Sequence, residues 1–417
     1  VTPPRPRDLV SPEARALGDA LEALPDTADA AALSAVRSAH PEADPTLISA
    51  LATQVRLRRR AVDRLGPWSG DLVLDEEALQ QATRRDVALY RAAQLLQRFG
   101  RDDATVADLG CGLGIDARAL AEQGFSVIAV ERDPWRAEAA EVNLAASGDR
   151  VRVVCADVTT LDADLMNSCD AAYVDPARRA AGGPRRIDGG RARSVHAPDA
   201  WSPPWSWIVS LAEHLPTVTK VAPGFDAHKA PARADIEWID HQGETVEASV
   251  WLGSLGQGTR RATALHGDRY ASIEVPRDAP PDPGLSTAQA STYLLEPTPA
   301  VVRADLVGTL AVDLAVARLD GGTWLTAETV PETALIRGWR ITEEIPHRTR
   351  DLRAWLRGKG SVTWKTLDAH VSATEWDRRV GHRPGDGPAV TVVITGQDRA
   401  FAVERSTLRG ESDASSR

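Results

Sequence analysis

The chain has 417 residues, 43% of them hydrophobic and 26% charged, with a formal net charge of −10. That length exceeds what one hydrophobic core usually serves and predicts two or three domains, and the composition excludes a disordered or fibrous chain. The acidic balance excludes a surface that is basic throughout; no apolar run reaches the about 18–20 residues of a membrane span, and Cys111, Cys155 and Cys169 are too scattered for a metal cluster or a disulfide framework. A cytoplasmic protein with no metal and no membrane partner is the expectation.

From Pro12 to about Phe99 apolar residues recur at helical spacing, as in Ile48, Leu51 and Val55 and again in Leu79, Val87 and Leu95. Residues 1–100 are therefore predicted as a helical N-terminal region, in which Arg56-Leu57-Arg58-Arg59-Arg60 reads as a solvated helix face. After Gly100 the texture changes. Residues 105–109, 126–130 and 151–154 predict strands, with helices over 115–123 and 135–146 between them, and this alternation specifies a parallel sheet covered by helices. Strands follow over 171–174 and 217–221, then a meander over 236–239, 246–252, 262–265 and 270–275, so that residues 101–275 make one α/β domain. The proline-rich stretch 276–284 sustains neither helix nor ladder and reads as a linker. With a helix predicted over 301–317, residues 276–336 form the linker and connecting helical segment. Strands over 338–343, 362–367, 390–395 and 399–403 make 337–405 a small α/β domain, and 406–417 reads as a disordered polar tail.

The segment Asp108-Leu109-Gly110-Cys111-Gly112-Leu113-Gly114 ends the first predicted strand and opens a helix, a place where glycines let backbone pass close to a ligand. Read from Gly112, it also satisfies the looser dinucleotide pattern GxGxxA, so a nicotinamide or flavin enzyme stays in view. Glu131 ends the second strand, where a carboxylate can hold two ribose hydroxyls. Asp157 follows the third strand, where one can accept from an adenine amino group. Tyr173-Val174-Asp175-Pro176-Ala177-Arg178-Arg179 ends the fourth. A dehydrogenase has no need of an Asp-Pro turn at that place.

In these segments the chain resembles class I S-adenosylmethionine-dependent methyltransferases, and among them a bacterial group carrying a C-terminal THUMP-like domain. The likeness also runs through Leu79-Gln80-Gln81-Ala82-Thr83, Tyr90-Arg91-Ala92, Glu131-Arg132-Asp133-Pro134, Asn143-Leu144, Ala222-Pro223-Gly224-Phe225-Asp226 and Leu295-Glu296-Pro297. It implies a Rossmann-like sheet, parallel with an antiparallel end, preceded by the helical region and followed by the THUMP-like α/β unit. It implies S-adenosyl-L-methionine as cofactor, with Asp108, Gly110, Cys111, Gly112 and Gly114 at its methionine part, Glu131 at the ribose and Asp157 at the adenine. Asp175, Pro176 and Arg178 would face the acceptor. Related Asp/Asn-Pro-Pro turns serve methylation of base nitrogens; here Ala177 replaces the second proline and Arg178 the aromatic that would stack on a base.

THUMP domains bind RNA in tRNA-modifying enzymes, so a tRNA or rRNA becomes the expected partner, with a small-molecule or protein methyltransferase, or a non-catalytic RNA-binding protein that retains cofactor affinity, as the alternatives. Two basic segments suit a phosphate backbone. One is the glycine-rich loop from Arg178 to Arg193; the other runs from Arg337 to Lys365, where Trp339, Trp355 and Trp364 interleave with Arg348, Arg350, Arg353 and Arg357. Those tryptophans read either as core or as platforms for unpaired bases. The oligomeric state is left open.

Overall fold

The computed structural model describes residues 4–24, 30–177, 198–267, 269–281, 287–319, 322–367, 371–395 and 399–406. They fall into two compact units, one comprising 1–221, 226–235 and 249–257, the other 222–225, 236–248 and 258–417. Among the described residues no helix is long and apolar enough to cross a membrane.

The first unit opens with helices α1 (Pro12–Glu22), α2 (Ala30–Ala39), α3 (Pro45–Leu65), α4 (Glu76–Gln81) and α5 (Arg85–Phe99). Their starts follow from local chemistry. Ser11 caps α1 and Asp44 caps α3, each followed by a proline whose missing amide costs the first turn nothing. Gly100, in the left-handed region, ends α5. Arg56, Arg59 and Arg60 of α3 lie on its exposed face, while half-buried Arg58 donates to the Leu72 carbonyl and Arg59 reaches those of Glu22 and Leu24, tying the N-terminal helices together.

The alternating segment then runs β1 (Thr105–Leu109), α6 (Ile115–Glu122), β2 (Ser126–Glu131), α7 (Pro134–Leu144), β3 (Val151–Cys155), α8 (Ala163–Asn167), β4 (Ala171–Val174), α9 (Trp205–Ala212) and β5 (Thr217–Val221). All five strands pair in parallel, in the order β3-β2-β1-β4-β5. Strand order reverses between β1 and β4, and in such sheets the crevice beyond the carboxyl ends at this switch point takes the ligand.

Further along the chain β6 (Asp235–His241) turns through Gln242 and Gly243, with φ of 53° and 85°, into β7 (Glu244–Leu252), a two-residue hairpin with both central residues left-handed. β8 (Thr259–His266) then lies on the other edge of β6 and runs parallel to it, and β9 (Arg269–Pro276) is antiparallel to β8. The expected meander is thus interrupted by a crossover, which alternating hydrophobicity does not reveal. A second, eight-stranded sheet comprises β10 (Thr287–Ala288), β11 (Tyr293–Pro297), β12 (Ala317–Leu319), β13 (Leu325–Ala327), β14 (Ile336–Ile345), β15 (Val362–Thr366), β16 (Val390–Ile394) and β17 (Ala400–Ser406). The single helix expected over 301–317 is two, α10 (Pro299–Arg303) and α11 (Val307–Asp313), because Asp305 between them takes a φ of 57° that no helix continues through.

Helices α12 (Thr349–Trp355) and α13 (Ala373–Val380) contribute Leu352, Leu356 and Val380 to a core shared with Trp364, Val392 and Ile394. Of the tryptophans that read as either core or base platform, Trp339 and Trp364 belong to the interior. Trp364 stacks on Trp376 and donates to Asp377, and Trp339 is buried and donates to Glu296. Trp355 is half-buried, with the Lys359 ammonium over its ring. Arg353 donates to the Arg379 and Val380 carbonyls, capping α13, and Lys365 pairs with Glu296. By contrast, Arg348, Arg350, Arg357 and Arg383 are exposed, and their guanidiniums have no ion-pair partner among the described residues.

Candidate functional site

The loop after β1 is shaped by three left-handed glycines, Gly110, Gly112 and Gly114, with φ of 91°, 54° and 82°. A Cβ on Gly110 would stand 3.0 Å from the Asp175 carbonyl, and one on Gly114 only 2.7 Å from the Leu144 side chain. Gly112 is different, since a Cβ there would meet nothing within 4 Å; its backbone borders open space. Buried Asn143 fixes the loop from behind: it donates to the Leu113 carbonyl and exchanges bonds with both backbone groups of Val73.

Four of the five amides from Gly110 to Gly114 are already engaged. Those of Gly110 and Cys111 donate to the Val130 carbonyl, that of Gly112 to Glu131 and that of Gly114 to the Cys111 carbonyl. A dinucleotide-binding loop keeps such amides for pyrophosphate. This one offers close approach instead of an anion nest.

Glu131, at the end of β2, accepts from the Gly112 amide through Oε2 at 3.1 Å and from the Asp133 amide through Oε1 at 2.9 Å. Each oxygen keeps a further lone pair. Asp157 accepts from the amide and hydroxyl of Thr159, bonds that hold its carboxyl below the usual range. Asp108 is fully buried and does not line the cleft, and among the described residues neither oxygen has a partner at full hydrogen-bond geometry, the Ala117 amide being only loosely directed at it. Burial first, then the charges of Asp116 and Asp175, push its carboxyl well above the usual range, with Arg91 and the Ala117 amide pulling the other way. Burial likewise raises the Cys111 thiol, leaving it a small apolar wall and no nucleophile.

Beyond β4 the chain turns through Asp175-Pro176-Ala177, and Ala177 pairs with Ser202 in an isolated antiparallel bridge. The Asp175 Oδ2 accepts from the buried Lys220 ammonium at 2.8 Å. Lys220, near the end of β5, also donates to the Gln81 carbonyl and the Thr83 hydroxyl, both at 3.1 Å. The Thr83 hydroxyl donates to Asp116 at 2.7 Å, and the opposite oxygen of Asp116 accepts from Arg91 at the same distance. Arg91 lies over the Tyr173 ring, 4.7 Å from its centroid. Of these residues the sequence singled out Asp175 for a role; Lys220, Thr83 and Asp116 were missed. A lysine within a strand buried at every position is the signal that could have found the first.

Gly110, Cys111, Gly112, Glu131, Asp157, Asp175 and Pro176 all border one cleft of about 960 Å³, open mouth included, together with Gln81, Thr83, Asp116, Arg136 and Ser202. Gly114 and Asp108 stand behind its lining. Arg178 and the basic loop that follows lie outside the described residues. Among the described residues no group of three or more His, Cys, Asp or Glu is placed to hold a metal ion.

Comparison with known proteins agrees with this geometry. Residues 106–177 match the family described as a methyltransferase domain, and residues 336–405 the family described as THUMP domain-like. Over 310 residues the chain is 30% identical to an uncharacterized S-adenosylmethionine-dependent methyltransferase of Mycobacterium tuberculosis, found alike in strains CDC 1551 / Oshkosh and ATCC 25618 / H37Rv, covering 71% of this chain and 78% of the relative. The fold is shared with a crystal structure from Porphyromonas gingivalis W83, assigned as a methyltransferase, at a TM-score of 0.69 and 20% identity over 88% of this chain and 92% of that one. A Rossmann-like sheet with this glycine loop, a THUMP-like unit near the C-terminus and that degree of identity have one reading: the chain belongs to the S-adenosylmethionine-dependent methyltransferases.

Proposed function

We propose that the enzyme methylates a nitrogen of a structured RNA, a tRNA or an rRNA. The residues present fit the cofactor. Gly112 presents bare backbone to the cleft, and Glu131, which borders it, keeps a further lone pair on each carboxylate oxygen. In this reading the backbone of Gly110, Cys111 and Gly112 holds the methionine part, with Asp108 and Gly114 supporting the loop from behind, the free lone pairs of Glu131 take the ribose hydroxyls, and Asp157 accepts from the adenine.

The bound cofactor supplies a methyl on a sulfonium, already a good electrophile, so the protein chiefly aligns donor and acceptor. Asp175 does this on the acceptor side. One of its oxygens is tied to Lys220, and the other, without a partner among the described residues, is free to accept an N–H and turn the nitrogen lone pair toward the methyl. Pro176 removes an amide and stiffens the turn. Arg178, next in the chain, is assigned to the acceptor on sequence alone.

The observation that carries the RNA half of the proposal is the THUMP-like match over 336–405, supported by Arg348, Arg350, Arg357 and Arg383, which are exposed and unpaired among the described residues. A small-molecule or protein acceptor is the second reading, favoured by the net charge of −10 and by the burial of Trp339 and Trp364. Mass spectrometry of nucleosides from the tRNA and rRNA of a strain lacking the gene separates the two. Loss of one N-methylated nucleoside is expected; identical nucleosides with and without the gene would contradict the proposal.

A further inference from the structure

Lys220 poses a physical question. A buried ammonium is costly unless it is paired and hydrogen-bonded, and even a good buried pair is often no more stabilising than apolar residues of the same size. Here all three donors are used, on Asp175, Thr83 and the Gln81 carbonyl. Thr83 fixes the sense of the chain, since its hydroxyl accepts from Lys220 and donates to Asp116, which Arg91 neutralises in turn. The charged groups around this floor are thus Asp175 from the turn after β4, Asp116 from α6, Arg91 from α5, Lys220 from β5 and, buried behind, Asp108 from β1. The two acids of the floor that border the cleft, Asp175 and Asp116, are each matched to one base.

We propose that Lys220 is a positioning residue of the methyl-transfer site, holding Asp175 Oδ2 in an ion pair that leaves Oδ1 to the acceptor and keeps that end of the cleft free of net charge. The pair thereby sets how strongly the site prefers the sulfonium cation of S-adenosylmethionine over the neutral thioether of S-adenosylhomocysteine. The inference rests on the reading that places Asp175 beside the transferred methyl. It makes the segment from Gln81 to Thr83, which precedes the sheet, a working part of the site.

The test is titration calorimetry of the full-length protein with each of the two compounds, giving the ratio of their Kd values without any need for the acceptor. Lys220→Met leaves an uncompensated carboxylate and should shift that ratio toward the sulfonium by about tenfold, the scale of one unit charge a few ångströms away in a half-wet site. Asp175→Asn leaves an uncompensated ammonium and should shift it about as far the other way. The double variant should return to within roughly twofold of the starting protein, a cancellation that general structural damage does not produce. Lys220→Gln keeps a donor without the charge, should shift the ratio toward the sulfonium as Lys220→Met does, and stands in for it if the latter does not fold. A response to Asp175→Asn with none to either Lys220 variant would overturn the role of Lys220. No response to Asp175→Asn would overturn the placement of Asp175 and the inference with it, and shifts of the same sign in both single variants would reduce the pair to a structural one.

Discussion

At the scale of single residues the acids in and behind the cleft divide by environment. Glu131 has two lone pairs already on backbone amides, so its remaining capacity is what a ribose would use. Hydrogen bonds to a charged group are worth about 1.5–3 kcal/mol, so Glu131→Ala should weaken S-adenosylmethionine binding roughly ten- to hundredfold by calorimetry. Unchanged affinity in a folded variant would remove Glu131 from the site. Asp108 behaves in the opposite sense. Burial raises its carboxyl in the folded chain, so below the unfolded value the group is neutral in both states and costs nothing. As pH rises through the interval between the two values, the unfolded chain ionises and the folded one resists, so stability is lost. Asp108→Asn should therefore raise Tm more at neutral pH than at pH 4, and a uniform shift at both would show that Asp108 is ionised as easily folded as unfolded. These acids were legible in the sequence because strand ends and a glycine signature fixed their places. Lys220 was not, because its partners Gln81, Thr83 and Asp175 lie far apart in the chain and no local pattern joins them.

At the scale of elements the loop between β1 and α6 does the most with the fewest residues. Its amides close on β2 and on the loop itself, and its glycines let it pass between the Asp175 carbonyl and Leu144. A side chain at Gly114 would both sit at a φ of 82° and press on Leu144 from 2.7 Å. Gly114→Ala should cost about 1–2 kcal/mol for the backbone alone, more with the steric clash, and lower cofactor affinity along with the denaturation midpoint. If midpoint and affinity both stayed put, the loop would be looser than its geometry implies. The parallel strands and their helices were predictable because hydrophobic period and turn chemistry agree there. The split of α10 from α11 and the crossover before β8 were not, since one hinges on a single left-handed aspartate and the other on which edge of β6 a strand joins. Neither leaves a trace in local hydrophobicity.

At the scale of the whole molecule the structure sorts the arginines that sequence alone could only count. Arg353 caps α13, whereas Arg348, Arg350 and Arg357 are exposed and unpaired among the described residues. Replacing those three together by Gln should weaken RNA binding and flatten its log–log salt slope by about 0.7–0.9 for each phosphate that is no longer neutralised, with S-adenosylmethionine affinity unchanged. Arg353→Ala should instead lower the unfolding midpoint, because it strips the last carbonyls of α13 of their donor. An unaltered salt slope in the triple variant would take RNA binding away from this surface.

Transfer of labelled methyl from S-adenosylmethionine, with the purified protein incubated with RNA, protein and small-molecule fractions from a strain lacking the gene, addresses the central claim most directly. Label should enter tRNA or rRNA, survive in a nitrogen-methylated nucleoside after digestion, and fall away with Asp175→Ala while the cofactor still binds. Label in the protein or small-molecule fraction, with none in RNA, would contradict it.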